Sequence, residues 1–313
     1  MTGGVGIAGA GGWGTALAVM LARRGVDVTL WARRSDQVEA LKRDRENKVY
    51  LPGVSLPPGV EVTGALTDIA RHRLIVLAAP SHGVAAVWRE LAGYVSPRTL
   101  ILIATKGLEA GTGRRLSEVL ADVPSPVPKE RIAVLSGPNH AEEVGRGLPT
   151  TSVVASLDTG AAEEWREVLM GPEFRVYTNE DIIGVELGGA LKNVIALAAG
   201  ISDGLGFGDN TKAALITRGL AEMARLGAAM GANVLTFSGL SGMGDLIATC
   251  TSGHSRNARA GRRIGRGERL EDVLRTTRAV IEGVPTCRAA LSLAERHRVE
   301  MPITAAVGSV LFD

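Results

Sequence analysis

The segment Gly9-Ala10-Gly11-Gly12-Trp13-Gly14 constrains this chain more than any other. It follows the short apolar run Val5-Gly6-Ile7-Ala8 and leads into an amphipathic stretch from Thr15 to Arg24. The G-x-G-x-x-G spacing therefore falls at a strand-to-helix turn, the context in which it forms a phosphate loop for a dinucleotide. Gly9 permits the tight turn, Gly11 lets backbone approach a pyrophosphate, and Gly14 lets the helix pack close to the strand. The first amides of that helix then face the anion.

The pattern around the loop supplies the sheet it needs. Apolar runs at 5–8, 28–31, 74–79, 100–104, 132–135, 152–155 and 175–177 alternate with helical spacing at 15–24, 36–45, 82–91, 114–121 and 161–169. Such alternation predicts βαβ units, hence an α/β, Rossmann-like, doubly wound and mostly parallel sheet. After Asn179 the β-branched runs stop. Ala/Leu/Gly-rich helical patterns follow at 186–201, 212–230, 257–264, 270–278, 286–296 and 304–311. The expected organisation is a nucleotide-binding domain over 1–178 and an all-helical second domain over 179–313.

Composition removes several classes of function. A formal net charge of +2 gives no large field for nucleic acid or an anionic bilayer. The arginine run at 256, 259, 262, 263 and 266 lacks interleaved aromatics, so it predicts a solvated helix face and no nucleic-acid partner. Cys250 and Cys287 have no metal-ligand spacing and are expected to be free thiols, and the five histidines form no zinc pattern. No metal is expected. The longest apolar stretch, 187–201, contains glycines and a lysine, which predicts a soluble protein without membrane insertion; the two thiols and a glycine-punctuated N-terminus that does not read as a secretion signal predict a cytoplasmic one.

Lysine is confined to positions 42, 48, 106, 129, 192 and 212. Lys106 ends the run 100–104, at the carboxyl edge of the sheet, where open α/β folds bind ligands. Lys192 is the one charged residue from Leu187 to Ile201, and its helical neighbours Gly188, Gly189, Ile195 and Ala196 cannot pair with it. Its partner must be tertiary or a ligand. A desolvated lysine near a second ammonium has a lowered pKa and can act as an acid–base group near neutral pH. Asp245, after a glycine-rich turn, reads equally as a helix cap. Ser255, Arg256 and Asn257 begin a helix and form a candidate phosphate cradle. After the second strand stand Ala32, Arg33 and Arg34 in place of the carboxylate usual for NAD. NADP(H) should therefore be accepted.

Together with Glu46–Pro52, Thr105-Lys106-Gly107, Ser136–Glu143, Glu186–Asn193, Ala213–Leu220, Gly242–Asp245, His254–Asn257, Val280–Gly283 and Met301–Thr304, these segments resemble the bacterial NAD(P)-dependent glycerol-3-phosphate dehydrogenases along nearly the whole chain. The resemblance implies a fold like that of 6-phosphogluconate dehydrogenase and interconversion of sn-glycerol 3-phosphate and dihydroxyacetone phosphate, a phosphorylated triose. It also implies a supply of glycerol 3-phosphate to glycerophospholipid synthesis, and it leaves a homodimer open. It makes Lys192 the general acid–base residue, with Lys106 touching substrate and nicotinamide. Gly137, Asn139, Asp245, Ser255, Arg256 and Asn257 match its substrate positions. Gly9, Gly11, Gly12, Trp13, Gly14, Arg33, Arg34, Tyr50, Lys106, Ala141, Arg256, Val280 and Glu282 match its NAD(H) or NADP(H) positions. Two departures stand out: Gly12 replaces a common serine, and the family continues beyond Asp313, which suggests a shortened form. Two other readings remain at this level, a dehydrogenase for another small acid and a silent dinucleotide-binding regulator.

Overall fold

The computed structural model describes residues 4–277 and 280–313. They form two compact units, the first of 4–105, 116–135 and 139–180, the second of 106–115, 136–138 and the described residues from 181 onward. The change of pattern near Thr178 lies two residues before this division. The two short segments that join the second unit leave no mark in hydrophobic periodicity, because neither is long enough to complete a helical or strand repeat.

In the first unit, the strands β1 (Val5–Ala8), β2 (Val28–Trp31), β3 (Val60–Thr63), β4 (Leu74–Leu77), β5 (Leu100–Ile103), β6 (Ile132–Ser136), β7 (Thr150–Ser156) and β8 (Phe174–Asn179) make one sheet in the order β3-β2-β1-β4-β5-β6-β7-β8. The pairs β3/β2, β2/β1, β1/β4, β4/β5, β5/β6 and β7/β8 are parallel. Every residue of β1, β2, β4 and β5 is buried, as both-face coverage by helices requires. The helices of this unit are α1 (Gly12–Arg23), α2 (Ser35–Asp44), α3 (Ser81–Leu91), α4 (Leu116–Ala121), α5 (Ala141–Arg146) and α6 (Thr159–Leu169). Strand order reverses at β1, so the loop from Gly9 to Gly14 leaves the carboxyl end of the strand at the switch point. Periodicity missed β3, an edge strand of four residues between Pro57-Pro58-Gly59 and Gly64. It also missed the single-turn-and-a-half helix α5.

The second unit is built around α7 (Ile182–Gly204). By length and composition α7 could cross a membrane, yet 94% of its most apolar window is buried inside the fold. A helix apolar on all sides belongs in a core. Around it pack α8 (Asp209–Ala229), α9 (Val234–Phe237), α10 (Asp245–Thr251), α11 (Arg256–Gly265), α13 (Gly283–His297) and α14 (Pro302–Phe312), with α12 (Leu270–Thr276) against α11. The expected end of α12 at Arg278 lies outside the described residues. The α7 helix runs past the 186–201 stretch because the Asp181 side chain caps it, accepting from Gly184 N–H at 2.9 Å. Small residues let α11 lie on it: a Cβ at Gly200 would strike the Ala258 carbonyl. Both thiols are free and buried, and burial pushes them up, Cys250 to about 12 and Cys287 to about 11.

A carboxylate deep in this unit has a structural task. Glu222 of α8, 1% exposed, accepts from Ile303 N–H at 2.6 Å and from Thr304 N–H at 3.2 Å and hydroxyl at 3.1 Å. It thus caps α14, whose own N-cap residue Met301 offers no side-chain acceptor. Removing a charged acceptor shared by buried donors costs roughly 2–4 kcal/mol. Glu222→Ala should lower the unfolding free energy in urea by that amount; a change under about 0.5 kcal/mol, the usual surface effect, would refute the cap.

Candidate active site

In the second unit, Lys192 lies in the middle of α7 and is only 5% exposed. One turn earlier, Gly188 and Gly189 strip that face of side chains. A Cβ at Gly188 would lie 2.6 Å from the Ser241 carbonyl oxygen, and one at Gly189 would lie 2.7 Å from Ser136 Oγ and 3.4 Å from Lys106 Cγ. The glycines therefore admit two foreign segments to the helix surface. The first is the π-helical turn Leu240–Gly244, which leads directly into Asp245 at the start of α10. The second comprises residues 106 and 136–138.

These approaches place one carboxylate against two ammoniums. Asp245, 2% exposed, accepts from Lys192 Nζ through Oδ1 and from Lys106 Nζ through Oδ2 at 2.8 Å. Both Asp245 carboxylate oxygens face the lysines, and the N-cap position of α10 falls to Gly244 instead of Asp245. Lys106 also donates to the Gly137 carbonyl at 2.7 Å, and Gly137 adopts a φ of 130° to present it. Lys192 further donates to Thr249 Oγ1 at 2.7 Å; that hydroxyl in turn donates to the Asp245 backbone carbonyl at 2.6 Å.

Electrostatics follow from this packing. Burial lowers the Lys192 pKa, the Asp245 charge opposes the fall and the Lys106 charge adds to it, leaving the ammonium at about 7. For Asp245, burial alone would raise the carboxyl, but the two lysines outweigh it and the net shift is downward. A lysine with a pKa near neutrality beside a fixed second cation can exchange a proton at pH 7 and stabilise an adjacent oxyanion.

The candidate phosphate segment adjoins this centre through hydrogen bonds. Asn257 Nδ2 donates to Oδ1 of Asn193, the residue after Lys192, at 2.8 Å, and Asn257 Oδ1 accepts from Gly283 N–H at 2.9 Å. Ser255 caps α11, its hydroxyl oxygen accepting from Ala258 N–H at 3.2 Å, which leaves the hydroxyl proton to donate elsewhere. Arg256 is exposed and donates to the Val280 carbonyl at 3.3 Å. Val280 and Glu282 lie in the segment before α13.

The candidate dinucleotide loop belongs to the first unit. Gly9 has a φ of 125°, and a Cβ on Gly14 would strike the Gly9 carbonyl, so both positions require glycine. Gly11 faces open space. Two side chains hold the loop by the Ala10 carbonyl: Gln37 at 2.6 Å and the buried Asn47 at 3.0 Å, the latter also donating to Thr15 Oγ1. A Cβ on Gly12 would lie 2.7 Å from the Tyr50 carbonyl and 3.7 Å from Ala141 Cβ, which brings those three positions together. Trp13 Nε1 is buried without a partner among the described residues. Arg33 and Arg34 are exposed, Arg34 pairing loosely with Asp36 at 3.4 Å.

Lys106, Gly137, Lys192 and Asp245 therefore meet directly, and Asn257 reaches them through Asn193. Asn139 lies in the first unit, donating to Ser152 Oγ at 2.8 Å. Thr249, Asn193 and Asn47 were missed by sequence reasoning. Thr249 follows Asp245 by one helical turn, a spacing that puts it on the same face.

Matches to known proteins cover the whole of this arrangement. Residues 4–162 match a family model described as NAD-dependent glycerol-3-phosphate dehydrogenase N-terminus, and 181–313 match its C-terminus counterpart. The glycerol-3-phosphate dehydrogenase [NAD(P)+] of Moorella thermoacetica is 55% identical over 98% of this chain and 91% of its own. That of Desulfitobacterium hafniense is 53% identical over 99% and 87%. The crystal structure of glycerol-3-phosphate dehydrogenase from Coxiella burnetii superposes with a TM-score of 0.95 at 40% identity, covering 99% of this chain and 95% of that one.

The contact between α7 and the π-helical turn is open to test. Alanine is intrinsically the better helix former, but a methyl at 188 must displace backbone. Overpacking of this kind costs about 1–3 kcal/mol. Gly188→Ala should therefore destabilise the protein in urea unfolding, whereas a gain of stability would show that the turn is not pressed on the helix.

Proposed function

The chain belongs to the NAD-dependent glycerol-3-phosphate dehydrogenase family, and from that premise we propose that it interconverts sn-glycerol 3-phosphate and dihydroxyacetone phosphate with Lys192 moving the proton at C2. The observation that carries the assignment is the buried Lys192, held near neutrality beside a carboxylate it shares with Lys106. The loop from Gly9 to Gly14 suits a nicotinamide dinucleotide: the backbone at Gly11 is unobstructed, and α1 begins at Gly12 with its amides free to meet phosphate. A bound nicotinamide supplies or accepts the hydride at C2.

Everything else falls to side chains of this chain. As the carbonyl is reduced, Lys192 Nζ donates a proton to the C2 oxygen; in the reverse direction the neutral amine takes it from the C2 hydroxyl. Lys106 supplies fixed positive charge beside that oxygen. Asp245 keeps both nitrogens in place, and Thr249 fixes the direction of Lys192. Arg256, the Ser255 hydroxyl and the first amides of α11 receive the substrate phosphate. Gly137, Asn139 and Asn257 serve as further substrate contacts. Trp13, Tyr50, Ala141, Val280 and Glu282 serve the cofactor, and Arg33 and Arg34 its 2′-phosphate. The first unit is the cofactor domain and the second the catalytic one. A cytoplasmic role in providing glycerol 3-phosphate for glycerophospholipids accords with this chemistry.

Proton transfer fixes the pH dependence. Reduction needs the ammonium form, so its turnover should fall as pH rises through about 7, while oxidation needs the amine and should rise over the same interval. Lys192→Met keeps the stem, and should abolish both limbs while lowering turnover by roughly 100- to 10,000-fold. Stopped-flow turnover between pH 5.5 and 9 measures both effects. An unchanged profile in the variant would remove Lys192 from the proton step.

Cofactor choice provides a separate test. Arg33→Ala with Arg34→Ala should raise the Michaelis constant for NADPH about 10-fold or more and leave that for NADH nearly unchanged, since only NADPH carries the charge they would meet. Equal changes for both cofactors would assign the arginines to general structure.

A further inference from the structure

Residues 106–115 return on themselves within the second unit. An antiparallel bridge pairs Leu108 with Arg115, and Glu109 N–H donates to the Arg114 carbonyl at 2.9 Å. Leu108, 2% exposed, sits in the same apolar cluster as Leu187, Leu191 and Leu293. Directly across the bridge, Arg115 is itself buried, and its Nη1 donates to Glu186 Oε2 at 2.8 Å. Glu186 stands on α7, the helix that carries Lys192.

A buried ion pair is weak evidence for stability, because desolvating two charges offsets most of their attraction and apolar side chains can fill the same space. Its better-attested use is to fix register. Leu108 alone would leave the hairpin free to slide over an apolar surface, because hydrophobic contact is non-directional. The bond from Arg115 to Glu186 has a direction and sets where the hairpin stops. Two residues before Leu108 is Lys106, whose Nζ must reach Asp245 at 2.8 Å.

We propose that Arg115 and Glu186 are positioning residues for the reaction, clamping the hairpin to α7 so that Lys106 meets Asp245. The inference rests on the roles given to Lys106 and Lys192 under the proposed function. Arg115 and Glu186 are assigned no contact with substrate or cofactor. Their effect passes through Lys106.

Non-additivity reads this directly. Arg115→Met is placed in the full-length protein and in a Lys106→Met background, and NADPH-dependent reduction of dihydroxyacetone phosphate is followed beside near-UV circular dichroism and urea unfolding. On the native background, turnover of the folded protein should fall on the order of 10- to 100-fold, the usual penalty of a misplaced reacting group. On the Lys106→Met background, which has already lost the group being positioned, the same substitution should lower the residual turnover less than twofold. Equal falls in both backgrounds, or no fall in either, overturn the inference while leaving the proposed function intact. Near-normal turnover in Lys106→Met itself overturns the role of Lys106 and this inference with it. Should Arg115→Met fail to fold, Glu186→Gln in the same two backgrounds replaces it: a large fall on the native background alone supports the clamp, and equal falls or none overturn it.

Discussion

Asp245 carries one negative charge between two ammoniums in a place almost closed to water, and most of the second unit is arranged to make that tolerable. A buried carboxylate without partners would protonate, and a buried lysine without one would lose its proton. Here each group supplies what the other lacks, but one carboxylate cannot fully compensate two cations. The imbalance falls on the more deeply buried lysine. Lys106, reaching in from an open loop, keeps partial contact with solvent, while Lys192 is enclosed and its ammonium is driven down toward neutrality. Burial makes the largest part of that fall, and the Lys106 charge adds to it against the opposing pull of Asp245.

Holding three charges at contact distance demands close backbone approach. Helix α7 could not admit the Ser241 carbonyl and the Ser136 hydroxyl to one face as they stand if positions 188 and 189 bore side chains. Glycine in a helix interior costs about 0.5–1 kcal/mol each relative to alanine. The burial of α7 within two apolar clusters offsets that loss. The π-helical turn before Asp245 fits the same pattern, since such departures from regular helix gather at functional sites. Local irregularity and a buried charge cluster occur together because the second requires the first.

Much of this was legible in the sequence, and the remainder was hidden for identifiable reasons. The turn between β1 and α1 was legible because glycine spacing, a preceding apolar run and a following amphipathic stretch all pointed to it. The isolation of Lys192 on an apolar helix implied a tertiary partner. Which residue that partner was could not be read, since Asp245 has the local signature of a cap and its true role depends on a π turn that no periodicity encodes. The hairpin 106–115 was equally invisible: its Leu108–Arg115 bridge is one residue pair long. Asn47 and Gln37, which fix the Ala10 carbonyl, act on the loop from more than 25 residues away, beyond any spacing rule. Long-range polar contacts are what the chain conceals, and they are what the site is made of.

The centre also bears on stability, and in the sense opposite to a structural ion pair. Lys192 has a folded-state pKa of about 7 against 10.5 for an ordinary lysine. Between those values the unfolded chain binds a proton that the folded one does not, so stability rises with pH across that window, and below about 7 the folded state bears the full penalty of a buried ammonium. Asp245, lowered in the fold, acts conversely, adding stability that is present above its unfolded pKa and lost on acidification. A purely structural buried pair would have both partners shifted toward their charged forms. Here only the carboxylate is. Near pH 7 the ammonium and the amine of Lys192 are close in free energy, because burial and the Lys106 charge outweigh the pull of Asp245.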